Sequence, residues 1–390
     1  MSLKIATLMA LTVFCFNSSP SFAMYSSPKP LETLSLLDQS NASHFCKAPL
    51  QTICTDTEAK RKDLANYITM LKTEIAQEAK LNALPRIAEM KHKIPGIRFI
   101  KRAMEKIKIN NQEIMKAASK RIVGFESAVI NDENVSIIKE YLYQAIDSTQ
   151  FSLARKNSSK SVIKSIVVGN FHDFIERTNL DDNGAAQLAN HPCGADGMVE
   201  NAFAAEIGNV RYVLLCPGFL INVNQTQSKS ERFNSVLQAV SHEMSHHIDA
   251  SSAGIQRYIP YLSCLAENNI TQFKINQEDF NFCRNNKADP AKCAMKVIVS
   301  HSDELIADAW GIKVLNLHMR AQSYSFAQAD QLLTESWEKL CGSDDEGTHP
   351  TGDFRIGTLL RSNPDISQYL SCDNSQITKP ACTFEGQVGL

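Results

Sequence analysis

The spacing of apolar residues predicts a helical first part of the chain. Between residues 56 and 160, apolar residues recur at intervals of three and four, as at Leu64, Ile68, Leu71 and Ile75, which is the spacing of one helix face. The preceding residues 24–55 are rich in Ser and Pro and predict an extended lead-in. The pattern therefore predicts a helical N-terminal region that ends near residue 160.

The second part of the chain mixes strands with helices. β-branched runs bounded by Gly, Asn and Pro predict strands at Val162–Gly169 and Val210–Cys216. Longer stretches with helical periodicity follow at Ser230–Ala250 and Asp303–Met319. We therefore expect an α+β domain over residues 161–390 that is predominantly helical and has a small antiparallel or mixed sheet.

The first residues have the pattern of an export signal. Lys4 precedes the apolar run Ile5–Phe16, and the polar stretch that follows ends at Ala23 in Ser-Phe-Ala, a small-x-small cleavage site. The run is shorter than the roughly 18 apolar residues that a membrane-spanning helix needs. We expect residues 1–23 to be removed as a signal peptide, and the mature chain to have no membrane span and to be periplasmic or extracellular.

Charge is balanced over the whole chain but not along it. The 390 residues carry 40 Lys and Arg against 42 Asp and Glu, and 43% are hydrophobic, which argues against a disordered protein or a nucleic-acid binder. Residues 56–121 hold 16 basic and 8 acidic side chains, so the remainder is acidic. This basic region is either an ordinary solvated helical surface or a contact for an anionic surface, including the acidic remainder of the chain.

Export changes the interpretation of the 11 cysteines. Cys15 leaves with the signal peptide, and the ten that remain form an even set in an oxidising compartment, which allows up to five disulfides. Their connectivity does not follow from the sequence. Three pairs are nevertheless separated like local loops: Cys46/Cys54, Cys283/Cys293 and Cys372/Cys382.

The strongest chemical signal is an H-E-x-x-H motif at residues 242–246. On a helix, positions i and i+4 lie about 40° apart, so His242 and His246 can reach one metal ion, and Glu243 can reach a water beside it. The predicted helix carries an apolar stripe on the opposite side, so it would be anchored by one face and present the histidines from the other. The stripe comprises Phe233, Val236, Leu237, Val240, Met244 and Ile248.

A catalytic zinc site needs a third protein ligand and an open fourth position. Asp249 and Ser252 occupy the Gly and third-His positions of the metzincin pattern, so that pattern does not supply the ligand. Glu304 and Asp308 share one face of the downstream helix, where one carboxylate can bind the metal while the other orients a ligand histidine. Asp249 can orient the other histidine, and His301 is a competing third ligand.

These motifs resemble those of the neprilysin-like family of gluzincin metallopeptidases. That family shows H-E-x-x-H-x-F-D followed by E-x-I-A-D-x-x-G, and this chain has HEMSHHID at residues 242–249 and ELIADAWG at residues 304–311. The similarity covers about residues 195–385, and CAAX-protease-type gluzincins, which share several of its segments, are the second choice. The further matching segments are Asn-Ala-Phe at residues 201–203, His349-Pro350…Arg355, and the closing cysteines Cys372 and Cys382.

The resemblance implies a thermolysin-like zincin catalytic domain that binds one zinc ion. His242, His246 and Glu304 would be the metal ligands. Asp249 and Asp308 would hold the ligand histidines in place. The large helical domain that covers the active site in full-length members has no counterpart in the matching segment, so only the region before residue 160 could serve in its place.

The resemblance also assigns the residues that would act on a substrate. Glu243 would take a proton from water, and His349 would donate to the oxyanion of the tetrahedral intermediate. Arg355 would support that intermediate or bind a substrate carbonyl, and Asn201 and Ala202 would bind the peptide backbone as an added strand. The expected function is that of an exported zinc endopeptidase acting on peptides or proteins.

A second class of function stays open at the level of sequence. The chain could be a non-catalytic or latent metallopeptidase-like binding protein, whose helical N-terminal region serves as a pro-segment or as a partner-binding arm. The charge difference between residues 56–121 and the remainder motivates this alternative.

Overall fold

The computed structural model describes the chain in segments that include most of the predicted catalytic domain. These are residues 46, 48–55, 62–63, 65–77, 130–170, 193, 199–207, 209–225, 229–248, 256–269, 299, 301–342, 349–359, 363–372 and 382. The signal peptide at residues 1–23, Asp249 and the Cys283/Cys293 pair lie outside the described residues.

The described residues form helices and one three-stranded sheet, against which the helix Lys229–His246 packs. The helices are α1 (Pro49–Cys54), α2 (Asp132–Ser148), α3 (Leu153–Ser165), α4 (Pro217–Gln225), α5 (Lys229–His246), α6 (Ile259–Asn269), α7 (Ser302–Gln322), α8 (Phe326–Trp337) and α9 (Pro364–Tyr369). The strands are β1 (Val167–Asn170), β2 (Ala202–Ile207) and β3 (Val210–Leu215). The prediction of a mainly helical α+β protein with a small mixed sheet is confirmed.

Strand β3 is the centre of the sheet. It pairs in parallel with β1, where Tyr212 lies opposite Val167, and antiparallel with β2, where Tyr212 lies opposite Ala205. The strand order is β1-β3-β2, so β2 forms one edge of the sheet. The second half of β3 is buried, which fixes its register against the helices behind it.

Helix α7 is the central element of the core. Every residue from Glu304 to Asn316 is buried, which is the pattern of a helix covered on all sides. Helix α5 packs against α7 and also contacts α2, α8 and β2. The apolar stripe that predicts one anchored face of α5 is buried at Val236, Leu237, Val240 and Met244.

The region before residue 160 contributes to this same core. Ile53, Leu71, Ile75 and Ile138 are buried in one continuous apolar cluster with the residues of α5 and α7. Helix α2 contacts both of those helices directly. The described part of the N-terminal region is therefore packed as part of the fold that carries the H-E-x-x-H helix.

Two local predictions are wrong. Helix α3 runs to Ser165, so the first half of the predicted strand Val162–Gly169 is helical and only β1 is extended. Ile163 is fully buried, and its burial outweighs the strand preference of a β-branched residue. Part of the predicted extended lead-in is also helical, because Pro49 is suited to a first helical turn and α1 buries Ile53.

Four disulfides join described cysteines, and they connect distant parts of the chain. The pairs are Cys46–Cys372, Cys54–Cys341, Cys193–Cys216 and Cys264–Cys382. The predicted local loops Cys46/Cys54 and Cys372/Cys382 are therefore wrong. The physical reason is that α1 packs against α8 and against the short π-helix Arg355–Leu359, which brings the first cysteines close to the last part of the chain.

The disulfides indicate an oxidising, exported environment, because such bonds persist outside the reducing cytosol. Among the described helices, none combines the length and the apolar character needed to cross a bilayer.

The two disulfides that hold α1 are nested, so each shortens the loop that the other closes. Replacing Cys54 and Cys341 by Ser should lower the free energy of unfolding by about 2–4 kcal/mol, and replacing Cys46 and Cys372 by a similar amount. Replacing all four should cost more than the sum, because the unfolded chain then loses the constraint on a much longer loop. Denaturant titration measures each free energy.

The Cys193–Cys216 bond is the matched control for this series. It joins cysteines with a sequence separation of only 23 residues. The loss of unfolding free energy on its removal should therefore add to the loss caused by removing either long-range bond. The variant that lacks both long-range disulfides should lose more free energy of unfolding than the two variants that each lack one of them lose together. A loss no larger than that sum would contradict the nested arrangement.

Candidate metal centre

Three ligand atoms converge between α5 and α7. Nε2 of His242 lies 3.2 Å from Nε2 of His246 and 3.1 Å from Oε2 of Glu304. Nε2 of His246 lies 3.7 Å from Oε1 of Glu304. The edge of a zinc tetrahedron with ordinary bond lengths is about 3.3 Å, so one ion fits within reach of all three. The cluster of ligand atoms within 4.8 Å of one another contains these three residues and not the competing His301.

The two helices determine this geometry. His242 and His246 lie one turn apart on the side of α5 that faces α7, and Glu304 lies in the first turn of α7. The side chains of His242 and Glu304 are 5% and 11% exposed, whereas that of His246 is 21% exposed. The cluster is thus buried on the α7 side and accessible beside His246, as a site with an open position requires.

Asp308 connects the cluster to the core behind it. Its Oδ1 lies 2.9 Å from Nδ1 of His242, and its carboxylate accepts two hydrogen bonds from Arg355, from Nε at 2.7 Å and from Nη2 at 2.6 Å. Asp308 is fully buried. A carboxylate at Nδ1 keeps a ring proton on that nitrogen, so Nε2 is the atom at which a metal ion would replace the second ring proton.

The donor set fits a divalent cation. Nε2 of His242 faces Nε2 of His246 at 3.2 Å, and both atoms lie beside the Glu304 carboxylate. With a lone pair on each Nε2, the two nitrogens and the carboxylate oxygen would repel one another at these separations, so the cluster favours a positive charge, whether a proton on His242 or a metal ion. Two imidazoles with one carboxylate are a set that zinc and similar divalent ions bind well.

The charges around the cluster also favour a cation. Burial alone lowers the pKa of His242, but its hydrogen bonds with Asp308 and Glu304 outweigh burial and raise that pKa to about 10. The contacts with His242 and His349 likewise hold the pKa of Glu304 well below its ordinary range, against the effect of burial. Burial and the charge of His242 lower the pKa of His246 to about 4, which keeps its lone pair available near neutral pH.

Glu243 lies beside the cluster without belonging to it. Its Oε1 is 3.8 Å from Nε2 of His242, and its side chain is 13% exposed. Burial raises the pKa of Glu243 to about 7, and the Glu304 carboxylate acts in the same direction. A carboxylate with a pKa near 7 can both accept and return a proton close to neutral pH.

The structure places His349 at the exposed side of the cluster and Arg355 at its buried side. Nε2 of His349 lies 3.0 Å from Oε2 of Glu304, and its side chain is 41% exposed. Arg355 is buried, and two of its nitrogen atoms are engaged with Asp308. This arrangement gives Arg355 a structural task that the resemblance did not imply, which is to neutralise and orient Asp308.

The predicted substrate-binding residues begin the edge strand. Ala202 is the first residue of β2 and lies opposite Leu215 of β3, while the carbonyl oxygen of Asn201 accepts a hydrogen bond from the N–H of Cys216 at 3.0 Å. Among the described strands, none pairs with the outer edge of β2. That edge has the geometry needed to accept an extended peptide.

Two further residues at the site were missed by the sequence reasoning. The charge of Lys339 acts on Glu243 and lowers its pKa, and the Lys339 ammonium lies 5.3 Å from the centre of the Phe219 ring. Lys339 has no motif around it that could have identified it. His247 is buried directly after the two candidate metal-ligand histidines, and its adjacency to the motif was the signal that could have found it.

Comparisons of this chain with protein-family models, with curated proteins and with solved structures found no match.

The Arg355–Asp308 pair yields a stability prediction. Arg355→Met leaves a fully buried carboxylate without its guanidinium, so the free energy of unfolding should fall by about 3–5 kcal/mol. Arg355→Lys should recover little, because an ammonium cannot reproduce the two parallel hydrogen bonds. Chemical denaturation of both variants measures these changes.

The matched control removes the carboxylate charge first. In an Asp308→Asn background, Arg355→Met should cost clearly less than in the wild type, because the two changes act on one pair. Equal costs in the two backgrounds would show that Arg355 stabilises the protein by another route.

Proposed function

We propose that this chain is an exported zinc metallopeptidase with a thermolysin-like catalytic domain, and that it hydrolyses internal peptide bonds of peptides or proteins. The observation that carries the proposal is the convergence of His242, His246 and Glu304 on one point, with the Glu243 carboxylate beside it. The resemblance to neprilysin-like gluzincins assigns a metal-binding and catalytic role to the same four residues.

Within the described part of the chain, the site offers three ligands rather than four. Among the described residues, the cluster that could hold a metal ion has three members. A structural zinc site is closed by four protein ligands, whereas a catalytic site keeps one position for water or substrate. The count therefore favours catalysis over a purely structural metal site.

Each residue has a task that follows from its position. Zinc, when bound, would make water a better nucleophile and polarise the scissile carbonyl. Glu243 would accept a proton from the attacking water and return it to the leaving amine, a role typically worth ~10²–10⁴-fold in rate. Its pKa of about 7 suits both transfers.

The remaining residues would hold or orient the reacting groups. His349 would donate a hydrogen bond to the oxygen of the carbonyl under attack, because its half-exposed ring lies next to Glu304. Asp308 and Arg355 would keep His242 in its binding orientation. Asn201 and Ala202 would bind the substrate backbone along the edge of β2.

The proposed periplasmic or extracellular location rests on two observations. The disulfides of the described residues indicate an oxidising compartment, and residues 1–23 have the sequence pattern of a signal peptide. Contact of the basic residues 56–121 with an anionic surface is part of the same proposal.

The alternative of a removable inhibitory pro-segment receives little support from the packing. Helix α2 contacts α5 and α7, and α1 is joined to the C-terminal half by two disulfides. A chain that begins near residue 160 would lose α2 and expose the apolar surface of the helices that carry the site. The region before residue 160 is therefore better explained as part of the enzyme.

The metal itself is tested by stoichiometry. The purified mature protein should bind one zinc ion per chain, and Glu304→Gln should weaken zinc affinity by more than the ~10–100-fold that loss of an outer hydrogen-bond partner costs. Competition with a chromophoric chelator measures this affinity. Asp353→Asn, which removes an exposed carboxylate outside the cluster, is the matched control and should bind zinc like the wild type.

The reaction is tested with Glu243→Gln. This nearly isosteric change removes the proton acceptor but no metal ligand, so the variant should bind zinc normally and lose ~10²–10⁴-fold in cleavage rate. Digestion of a random peptide library, read by mass spectrometry, measures cleavage and its sequence preference. The resemblance implies cleavage on the amino side of large apolar residues. A wild type without zinc, or equal cleavage by both forms, would refute the proposal.

A further inference from the structure

The second metal-binding histidine occupies a vulnerable position in its helix. His246 is the last residue of α5, and the chain continues from it as a turn. The last carbonyls of a helix have no partner within the helix, and helix ends open more readily than helix centres. A ligand there must nevertheless be held within about 0.5 Å of its productive position.

Two side chains hold the turn that follows His246. Nε2 of His247 lies 2.9 Å from the carbonyl oxygen of Tyr212, and Nη2 of Arg155 donates to the carbonyl oxygen of Ile248 at 3.1 Å. A carbonyl oxygen only accepts, so the His247 ring must carry its proton on Nε2. The two residues after His246 are therefore each hydrogen-bonded to a different element of the fold.

The first anchor is the sheet. Tyr212 lies in β3, the central strand, and is paired on both sides, with Val167 and with Ala205. His247 is only 7% exposed, so its hydrogen bond is protected from competing water. This contact fixes the end of α5 to the most constrained strand of the sheet.

The second anchor is connected to the helix that bears the third ligand. Arg155 projects from α3, and its guanidinium lies 6.0 Å from the centre of the Phe151 ring. Phe151 meets the ring of Trp310 edge-on at 6.3 Å, and Trp310 lies on α7 two residues after Asp308. A cation at the C-terminal end of α5 also complements the negative end of the helix dipole.

We propose that His247 and Arg155 are positioning residues for the metal ligand His246. The inference rests on the proposed metal site. Neither side chain belongs to the ligand cluster, so each acts through the backbone of residues 247–248. Loss of either contact frees the last turn of α5 and weakens metal binding, while the rest of the core stays intact.

The experiment separates positioning from general stability. His247→Phe keeps a ring of similar size but removes the donor, whereas His247→Gln keeps an N–H at a similar distance from the backbone. Arg155→Met and Arg155→Lys form the corresponding pair at a half-buried site. His318→Phe is the matched control, because His318 is also a buried histidine and bonds the hydroxyls of Tyr141 and Tyr324 away from the cluster.

Zinc affinity is measured by chelator competition, the ligand geometry by the absorption spectrum of the Co²⁺-substituted protein, and folding by thermal unfolding of the metal-free chains. His247→Phe and Arg155→Met should each bind zinc ~10-fold more weakly and alter the Co²⁺ spectrum, as the loss of an outer contact typically does. The Gln and Lys variants should return to within about 3-fold of the wild type. His318→Phe should lower the melting temperature without changing zinc affinity.

Two outcomes would overturn the inference while leaving the metal site in place. In the first, the wild type binds zinc, and the His247→Phe and Arg155→Met variants bind it with the same affinity as the wild type. The other is equal weakening by His247→Phe and His247→Gln, because the hydrogen bond would then not be the cause. If the wild type itself binds no zinc, the proposed function fails and this inference falls with it. If His247→Phe does not fold, Arg155→Met still tests whether a contact to the turn after His246 affects zinc affinity.

Discussion

The arrangement of the site depends on one fully buried carboxylate. Asp308 is tolerated in the core because Arg355 neutralises it through two hydrogen bonds and because Nδ1 of His242 lies against Oδ1, one of the two oxygens that accept them. These contacts join three segments that are far apart in the sequence: the end of α5, the start of α7 and the turn at residues 349–359. They orient His242, and they also bring the segment that carries His349 against Glu304. The neutralisation of this one buried charge thus brings together the candidate metal ligands and the groups around them.

The part of the site that sequence could predict is the part encoded within single helices. His242 and His246 share a face because they are four residues apart, and the same spacing places Glu304 beside Asp308 on α7. The apolar stripe of α5 is buried as predicted, but the opposite face is buried as well, as at Ser241 and His242, which the stripe alone did not indicate. What could not be predicted lies between elements. The hydrogen bonds of Arg355 to Asp308 span 47 residues, and the effect of Lys339 on Glu243 depends on how α8 packs against α5. The spacing of apolar and polar residues along the chain does not predict contacts of this kind.

The same distinction explains the errors in the fold. A run such as Val162–Ser165 is compatible with a strand or a helix, and the buried position of Ile163 decides between them. Short spacings between cysteines predicted local loops, but a disulfide requires that its two cysteines be close in space. The packing of α1 on α8 brings Cys54 next to Cys341, although they are far apart in the sequence. In both cases tertiary contact overrides a preference that is correct for the isolated segment.

The pairing of the first cysteines with the last ones has a consequence for biogenesis. A chain that crosses a membrane from its N-terminus exposes Cys46 and Cys54 long before Cys341 and Cys372 arrive. Oxidation in order of emergence would join the two early thiols to each other, across a separation short enough to close at once. In that case the native bonds would form by thiol–disulfide exchange after translocation, and the yield of folded protein would depend on a disulfide isomerase or on a mildly reducing redox buffer.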